Sequence, residues 1–360
     1  MAGPLPKSLL RDVPLSPLTT IGLGGAAQFF ASCMSVEEIS TLVRFAKAER
    51  MRLQLLGGGS NIIFADAGFK GLVLQINLKG RRISDDGEHV ILEVAAGEEW
   101  DSVVQFCVEQ GFSGIECLSG IPGFVGATPI QNVGAYGQEV AETIVELRAV
   151  DLETMREVEM PNAECRFGYR QSRFKKEDRN RFVVTHVTFR LKKNGRPAIR
   201  YPELKTHLES ACNLDALADG AESLRATREA VLALRRRKSM VIDPHDPNTR
   251  SVGSFFMNPV LTIPEFQTVQ GHCHRSGTKE TIPTFPAGER IKIPAAWLVE
   301  QTGYKRGFRR GGVGVSSNHA LALINTGGTS QEVLDLARDI QRAVQKKFAI
   351  LLEEEPVVVP

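Results

Sequence analysis

Leu118-Ser119-Gly120-Ile121-Pro122-Gly123-Phe124-Val125-Gly126-Ala127-Thr128-Pro129-Ile130-Gln131-Asn132-Val133-Gly134-Ala135-Tyr136-Gly137 is a glycine-rich run in the first half of the chain. Glycines recur through it at 120, 123, 126, 134 and 137. A backbone without Cβ atoms can bring its N–H groups close to something bulky and anionic. A second such place lies upstream, Gly57-Gly58-Gly59-Ser60-Asn61, directly after the strand-like Leu53-Gln54-Leu55-Leu56. Before that strand, Ser35-Val36-Glu37-Glu38 has the pattern of a capping box. Ile39, Leu42, Val43 and Ala46 follow at helical spacing. The order is helix, strand, glycine loop. A Rossmann fingerprint has strand, GxGxxG, helix, so that dinucleotide fold is not supported.

Further out, Ile91–Ala95 reads as a strand and Trp100–Gln110 as a helix stopped by Gly111. Ile144–Val150 and Arg181–Leu191 read as strands flanking Glu164-Cys165-Arg166-Phe167-Gly168-Tyr169-Arg170. Beyond about residue 203 come a helix at Ala226–Lys238, a loop and a mixed α/β segment. Ala320–Asn325 is then a strand. Thr329-Ser330-Gln331-Glu332 opens an amphipathic helix with Val333, Leu336, Ala337, Ile340 and Val344 on one face. A domain break is expected near residue 238, with the last residues returning to the earlier lobe.

The 360 residues are too many for one small core, and 42% hydrophobic with 24% charged content is ordinary for a globular chain. No stretch reaches the ~20 apolar residues of a membrane helix. The first 18 residues carry four prolines and no continuous apolar run, which argues against a secretory signal and for a cytoplasmic protein. Cys33, Cys107, Cys117, Cys165, Cys212 and Cys273 show no CxxC spacing, as expected of reduced, buried thiols. His272-Cys273-His274 reads as a polar loop, since adjacent ligands rarely close a tetrahedral site; no metal is expected. Net charge is only +2, which disfavours a nucleic-acid track. The basic runs Arg166–Lys176, Arg235–Lys238 and Lys305–Arg310 fit a local cleft for phosphates better.

At these residues the sequence resembles the UDP-N-acetylenolpyruvoylglucosamine reductase family. The matching pieces are TTIGLGG (19–25), LGGGSN (56–61), IPGFVGATPIQNVGAYGQE (121–139), ECRFGYRQSRFK (164–175), GSFFMNPV (253–260) and the glutamate cluster 353–355. They cover nearly the whole chain in family order. The resemblance implies an α+β protein of the vanillyl-alcohol-oxidase type, with two α/β lobes around FAD and a C-terminal substrate-binding α/β domain. The corresponding boundaries are 1–80, 81–238 joined by 345–360, and 239–344. It further implies reduction of a UDP-sugar enolpyruvyl ether with NADPH as hydride donor. The partners are then small molecules, with no membrane or nucleic acid, and nothing requires more than a monomer.

The family pattern assigns FAD contacts to Gly57, Gly58, Gly59, Ser60, Asn61, Ser119, Gly120, Ile121, Pro122, Gly123, Gly126, Ala127, Gln131, Asn132, Gly134 and Ala135. Their N–H groups would neutralise the diphosphate, with Asn61 adding an amide. Relatives of this fold that hold flavin covalently use a histidine near the first loop; residues 1–88 contain none, so FAD is expected to be dissociable. Arg170 falls at the family position for gripping the substrate carboxylate, where a guanidinium offers two parallel bonds. Ser254 corresponds to the proton donor, with Lys238 and Asn258 as neighbours able to support so weak an acid. Glu355 completes the catalytic set, although Glu354 and Pro356 depart from the family pattern, so Glu353 and Glu354 stay open. Repulsion among three adjacent carboxylates would raise one of their pKa values. Tyr136, Tyr169, Tyr201, Lys238, Asn258, Lys305 and His319 match positions near substrate or nicotinamide, with Tyr201 marking the subclass that keeps a tyrosine on a substrate-covering loop. Met257 stands where many relatives carry lysine. Two rival readings are an oxidase of the same fold, passing electrons to oxygen, and a phosphate- or RNA-binding module whose glycine loops are structural.

Overall fold

The computed structural model describes residues 6, 8–213, 216–275, 277 and 281–360. The start of the N-terminal arm, residues 1–5 and 7, lies outside them. The chain divides into two compact units, residues 1–13, 27–59 and 69–241, and residues 14–26, 60–68 and 242–360.

The first unit contains a four-stranded sheet, in the order Leu10–Pro14, Ala26–Cys33, Phe69–Ile76 and Leu53–Leu56, and the last three pair in parallel. Parallel strands need a crossover, and the helix Val36–Ala48 provides it between Ala26–Cys33 and Leu53–Leu56. Ser35 caps that helix through the Glu38 N–H. Glu38 reaches back to the Met34 N–H at 2.8 Å, one residue earlier than a strict capping box. Ile39, Leu42, Val43 and Ala46 are buried against Leu72 and Leu74, as the periodicity implies. The second sheet is antiparallel, in the order Arg156–Pro161, Ile144–Asp151, Phe182–Lys193, His89–Ala95 and Arg81–Asp86. Its central strands are nearly all buried and pack on the helix Trp100–Glu109, which ends before Gly111 in a left-handed conformation. The helix expected from Ala226 begins earlier, at Ala221, because Ser223 and Leu224 already face the interior. A helix at Pro202–Ala211, unread in the sequence, starts on a proline that suits a first-turn position.

In the second unit the antiparallel sheet runs Ser251–Ser254, Ala322–Asn325, Val313–Val315, Arg309–Arg310. The helix Ser330–Phe348 buries Val333, Leu336, Ala337, Ile340, Val344 and Phe348, the stripe read from the sequence. Its valine, leucine, isoleucine and phenylalanine side chains each contribute roughly 1.5–3 kcal/mol. Its start is doubly capped: Thr329 and Glu332 form a capping box, and the Asp66 carboxylate accepts from the Ser330 and Gln331 N–H groups. The last strand, Val357–Val359, pairs in parallel with Ile62–Phe64. His272-Cys273-His274 is not a loop: it forms the final turn of the helix Ile263–Arg275, with Cys273 buried. Among the described residues no cluster of His, Cys, Asp or Glu could hold a metal ion, and no helix is long and apolar enough to cross a membrane. Five of the six cysteines are buried free thiols, and burial pushes Cys33, Cys107 and Cys165 up to about 12.

Candidate active site

The two glycine stretches meet within the first unit. A Cβ on Gly58 would stand 2.9 Å from the Gly123 Cα, closer than carbon atoms tolerate, so the loops abut backbone to backbone. A Cβ on Gly126 would lie 2.5 Å from that of Ala96. Loops poor in side chains suit a dinucleotide diphosphate, which needs N–H donors more than side chains. Not every residue assigned to the cofactor offers its donor outward. The Ser119 N–H and hydroxyl both bond to Glu116 O, and the Gly120 N–H bonds to Asp101 Oδ1 at 2.5 Å. Asn132 is 1% exposed. Its amide nitrogen donates to Glu139 (2.7 Å) and Gly168 O (3.0 Å), and its oxygen accepts from the Ala141 N–H. These three groups build the loop instead of waiting for a ligand.

Arg170 is fixed by its surroundings. Nη2 donates to Gly134 O at 2.6 Å and Nη1 to Asn132 O at 3.4 Å, while the guanidinium lies 5.6 Å from the Tyr169 ring centre. Asn132, Tyr136, Arg166 and Arg170 all have φ between 46° and 54°. Each such residue costs on the order of 1 kcal/mol or more, which surrounding structure must hold in place, and such strain concentrates at functional sites. The rest of the run is spent differently: Arg166 pairs with Glu177, and Arg173 with Asp178.

Three of the expected substrate residues come together in the same unit. Tyr136 and Tyr201 pack edge to face at 5.4 Å, and Lys238 Nζ lies 5.9 Å from the Tyr136 ring. Tyr201 is the last loop residue before the helix Pro202–Ala211, at its N-cap position and without a capping bond from its side chain. Lys238 ends the helix Ala221–Arg237 and bonds to Glu203 Oε2 at 2.6 Å. Burial pushes the Tyr136 hydroxyl up to about 12 against the opposing charge of Arg235. Burial also draws the Arg235 guanidinium down to about 10, still cationic at neutral pH. Arg235 donates from Nη2 to Met240 O, and its Nε is buried without a hydrogen-bond partner among the described residues. Glu203 and the Asp101–Arg228 pair, whose two bonds measure 2.6 and 2.8 Å, carry no signal in the sequence. Nothing local marks partners separated by that much chain.

The second unit holds the other candidates. Ser254 ends a strand whose register against Ala322–Asn325 slips between Ser251↔Ile324 and Ser254↔Ala322. This is a bulge, with Gly253 at φ +78°, and bulges commonly re-aim a side chain. Ser254 thus stands at a bulged strand end. Phe255 and Phe256 are fully buried anchors on its far side. The strand continues into a short pairing with the glutamates: Glu355 N–H donates to Phe255 O, Met257 N–H to Glu353 O, and Phe256 stands opposite Glu354. Glu354 and Glu355 therefore point to opposite faces. Glu354 is the carboxyl raised above the usual range, by burial with Arg338 opposing, not by repulsion from its neighbours. Asn61 Nδ2 donates to Glu355 O at 3.2 Å and Asn61 O accepts from Val357 N–H, so this residue positions the glutamate strand. Asn258 Oδ1 accepts the Ala295 N–H at the start of the helix Ala295–Glu300. His319 Nδ1 accepts from Leu321 N–H, which leaves the proton of the neutral ring on Nε2. Lys305 is exposed, whereas Arg306 and Arg310 pair with Glu300 and Asp339.

Comparison with known proteins settles the family. Residues 244–359 match the UDP-N-acetylenolpyruvoylglucosamine reductase C-terminal domain, and residues 27–156 match an FAD binding domain. The chain is 45% identical over 358 residues to the UDP-N-acetylenolpyruvoylglucosamine reductase of Thermobifida fusca, covering 98% of both. It belongs to that reductase family. The Streptomyces coelicolor reductase is likewise 45% identical, over 98% of this chain and 91% of that one. A crystal structure of the Thermus caldophilus reductase superposes with a TM-score of 0.65 at 22% identity, covering 98% of each chain. The fold is that of the reductase family, with the FAD-binding architecture the motifs implied.

Proposed function

We propose that the chain reduces the enolpyruvyl ether of UDP-N-acetylglucosamine to UDP-N-acetylmuramate with NADPH, the reductive step of peptidoglycan precursor synthesis. What supports this reading is the match of residues 27–156 to an FAD binding domain and of residues 244–359 to the reductase C-terminal domain, together with the two glycine loops that lie backbone to backbone at Gly58 and Gly123. Gly57, Gly58, Gly59, Ile121, Gly123, Gly126 and Ala127 would hold FAD there without a covalent bond. When bound, FAD supplies two-electron chemistry, taking a hydride from NADPH and delivering it to the terminal methylene of the enol ether.

The protein's own residues handle charge and proton. Arg170 stabilises the substrate carboxylate as negative charge develops on it, an interaction stronger in the transition state than before it. Ser254 donates a proton from Oγ to the carbon bearing the ether oxygen, with Glu355 and the polar groups of its unit compensating for a weak acid. Tyr136, Tyr169 and Tyr201 offer faces to the uridine and sugar, and Lys238 a charge to the diphosphate. Asn258, Lys305 and His319 serve substrate or nicotinamide. Substrates are small molecules only, and we place the protein in the cytoplasm as a monomer.

Colour is the first test. Purified protein is expected to show flavin absorbance that NADPH bleaches without oxygen and that the UDP-enolpyruvyl sugar restores. Reoxidation by air as fast as by that sugar would favour an oxidase. Failure to take up FAD at all would overturn the reading.

A further inference from the structure

The cation assigned to the substrate diphosphate is already occupied. Lys238 Nζ lies 2.6 Å from Glu203 Oε2, and the pair sits beside Tyr136 and Tyr201. Glu203 is in the first turn of the helix Pro202–Ala211, two residues after Tyr201, so the acid and the ring share one rigid start of a helix. Lys238 closes the helix Ala221–Arg237, and the two helices pack through Leu204, Leu208, Val231 and Leu234. The side chains are 32% and 42% exposed, so the pair is open to exchange with a solvated anion.

Resting on the reading of Lys238 given above, we infer that Glu203 is an internal stand-in for the substrate diphosphate. It neutralises Lys238 in the unliganded chain, and the nucleotide must displace it. Displacement leaves a carboxylate facing the incoming phosphates, which repels them, and it frees the start of the Tyr201 helix from its tie to Lys238. Glu203 thereby sets the affinity for the UDP moiety and discriminates against weaker anions that cannot repay the broken pair. An exposed ion pair is worth at most about fivefold in an equilibrium constant. With the lost repulsion added, removal of the charge is expected to tighten UDP binding about three- to tenfold.

The test is calorimetric titration of the FAD-loaded protein with UDP alone, so that no turnover is needed. Glu203→Gln should bind UDP more tightly, and the gain should shrink as salt rises. Lys238→Met should bind it more weakly, and adding Glu203→Gln to that variant should recover less than twofold. In steady state Glu203→Gln should lower KM for the UDP-sugar and leave KM for NADPH unchanged. Unchanged or weaker UDP binding by Glu203→Gln, with Lys238→Met still weakened, overturns the inference alone. Normal UDP binding by Lys238→Met overturns the assignment of Lys238 and the inference with it.

Discussion

Arg170 and Ser254 are held in place by opposite means. Arg170 sits on backbone forced into the left-handed region, and two carbonyls, of Gly134 and Asn132, grip its guanidinium. Ser254 stands at the end of a regular strand with a single bulge, and two buried phenylalanines and the glutamate strand fix its register. Strain in one unit and strand pairing in the other achieve the same end, a functional group with little freedom. Arg170 thus depends on a few polar contacts, whereas Ser254 depends on packing that spreads over a whole sheet.

The sharpest separation is kinetic. Ser254→Ala should slow reoxidation of reduced flavin by the UDP-sugar about 10²–10⁴-fold, the usual worth of a positioned proton donor, and leave flavin reduction by NADPH near normal. Arg170→Ala should slow the same half-reaction about 10²–10³-fold. Arg170→Lys should recover little, because an ammonium cannot reproduce a forked guanidinium held by two carbonyls. Stopped-flow measurement of both half-reactions decides it: equal losses in both halves for Ser254→Ala would remove it from proton transfer.

The glycines divide along the same line. Gly58→Ala meets backbone, since its Cβ would be 2.9 Å from the Gly123 Cα and 3.1 Å from the Phe124 ring. Overpacking of that kind costs about 1–3 kcal/mol, and FAD affinity should fall tenfold or more. At Gly253 nothing lies within 4 Å of an added Cβ, and only φ +78° opposes a side chain. Gly253→Asn, which tolerates that region, should therefore be milder than Gly253→Val, whereas at position 58 every side chain should release flavin. Flavin retained per mole after gel filtration is the measurement. Full retention by Gly58→Ala would show that the loops can part.

What could be read from the sequence follows from how far each signal reaches. The helix Ser330–Phe348 was legible because its cap and its stripe are both local, within residues 329–348. Gly57–Gly59 and Ile121–Gly123 stand out in the sequence by their glycines, but their mutual contact does not, since glycine carries no side chain to betray its neighbour. Asn61 and Asn132 looked like ligands for a cofactor. Their partners, Glu355 O for the first and Glu139, Gly168 and Ala141 for the second, come from folding. The raised carboxyl was expected from repulsion at 353–355. It is set instead by burial of Glu354, a property of the face that residue takes opposite Phe256. Glu203 gave no signal, because its meaning depends on Lys238, which arrives from a different helix.

The smallest expected effect concerns how the second glycine loop is anchored. Asp101 bonds to both Nη atoms of Arg228 and accepts the Gly120 N–H. Burial pushes this carboxyl up, but the Arg228 bonds, the Gly120 N–H and the charges of Arg228 and Arg235 outweigh it and hold it below the usual range. A carboxyl whose folded pKa is depressed adds stability that is complete above its unfolded value, ~3.9, and is lost as pH falls through the folded value. Asp101→Asn leaves the Arg228 guanidinium, 11% exposed, without its charge partner. The carboxylate is itself 38% exposed, so solvent screening limits the loss to about 1 kcal/mol at pH 7. Urea midpoints of the two proteins should therefore differ at pH 7 and converge as the buffer falls below pH ~4. A gap that persisted unchanged into acid would mean that Asp101 acts through shape and its hydrogen bond to Gly120, not through charge.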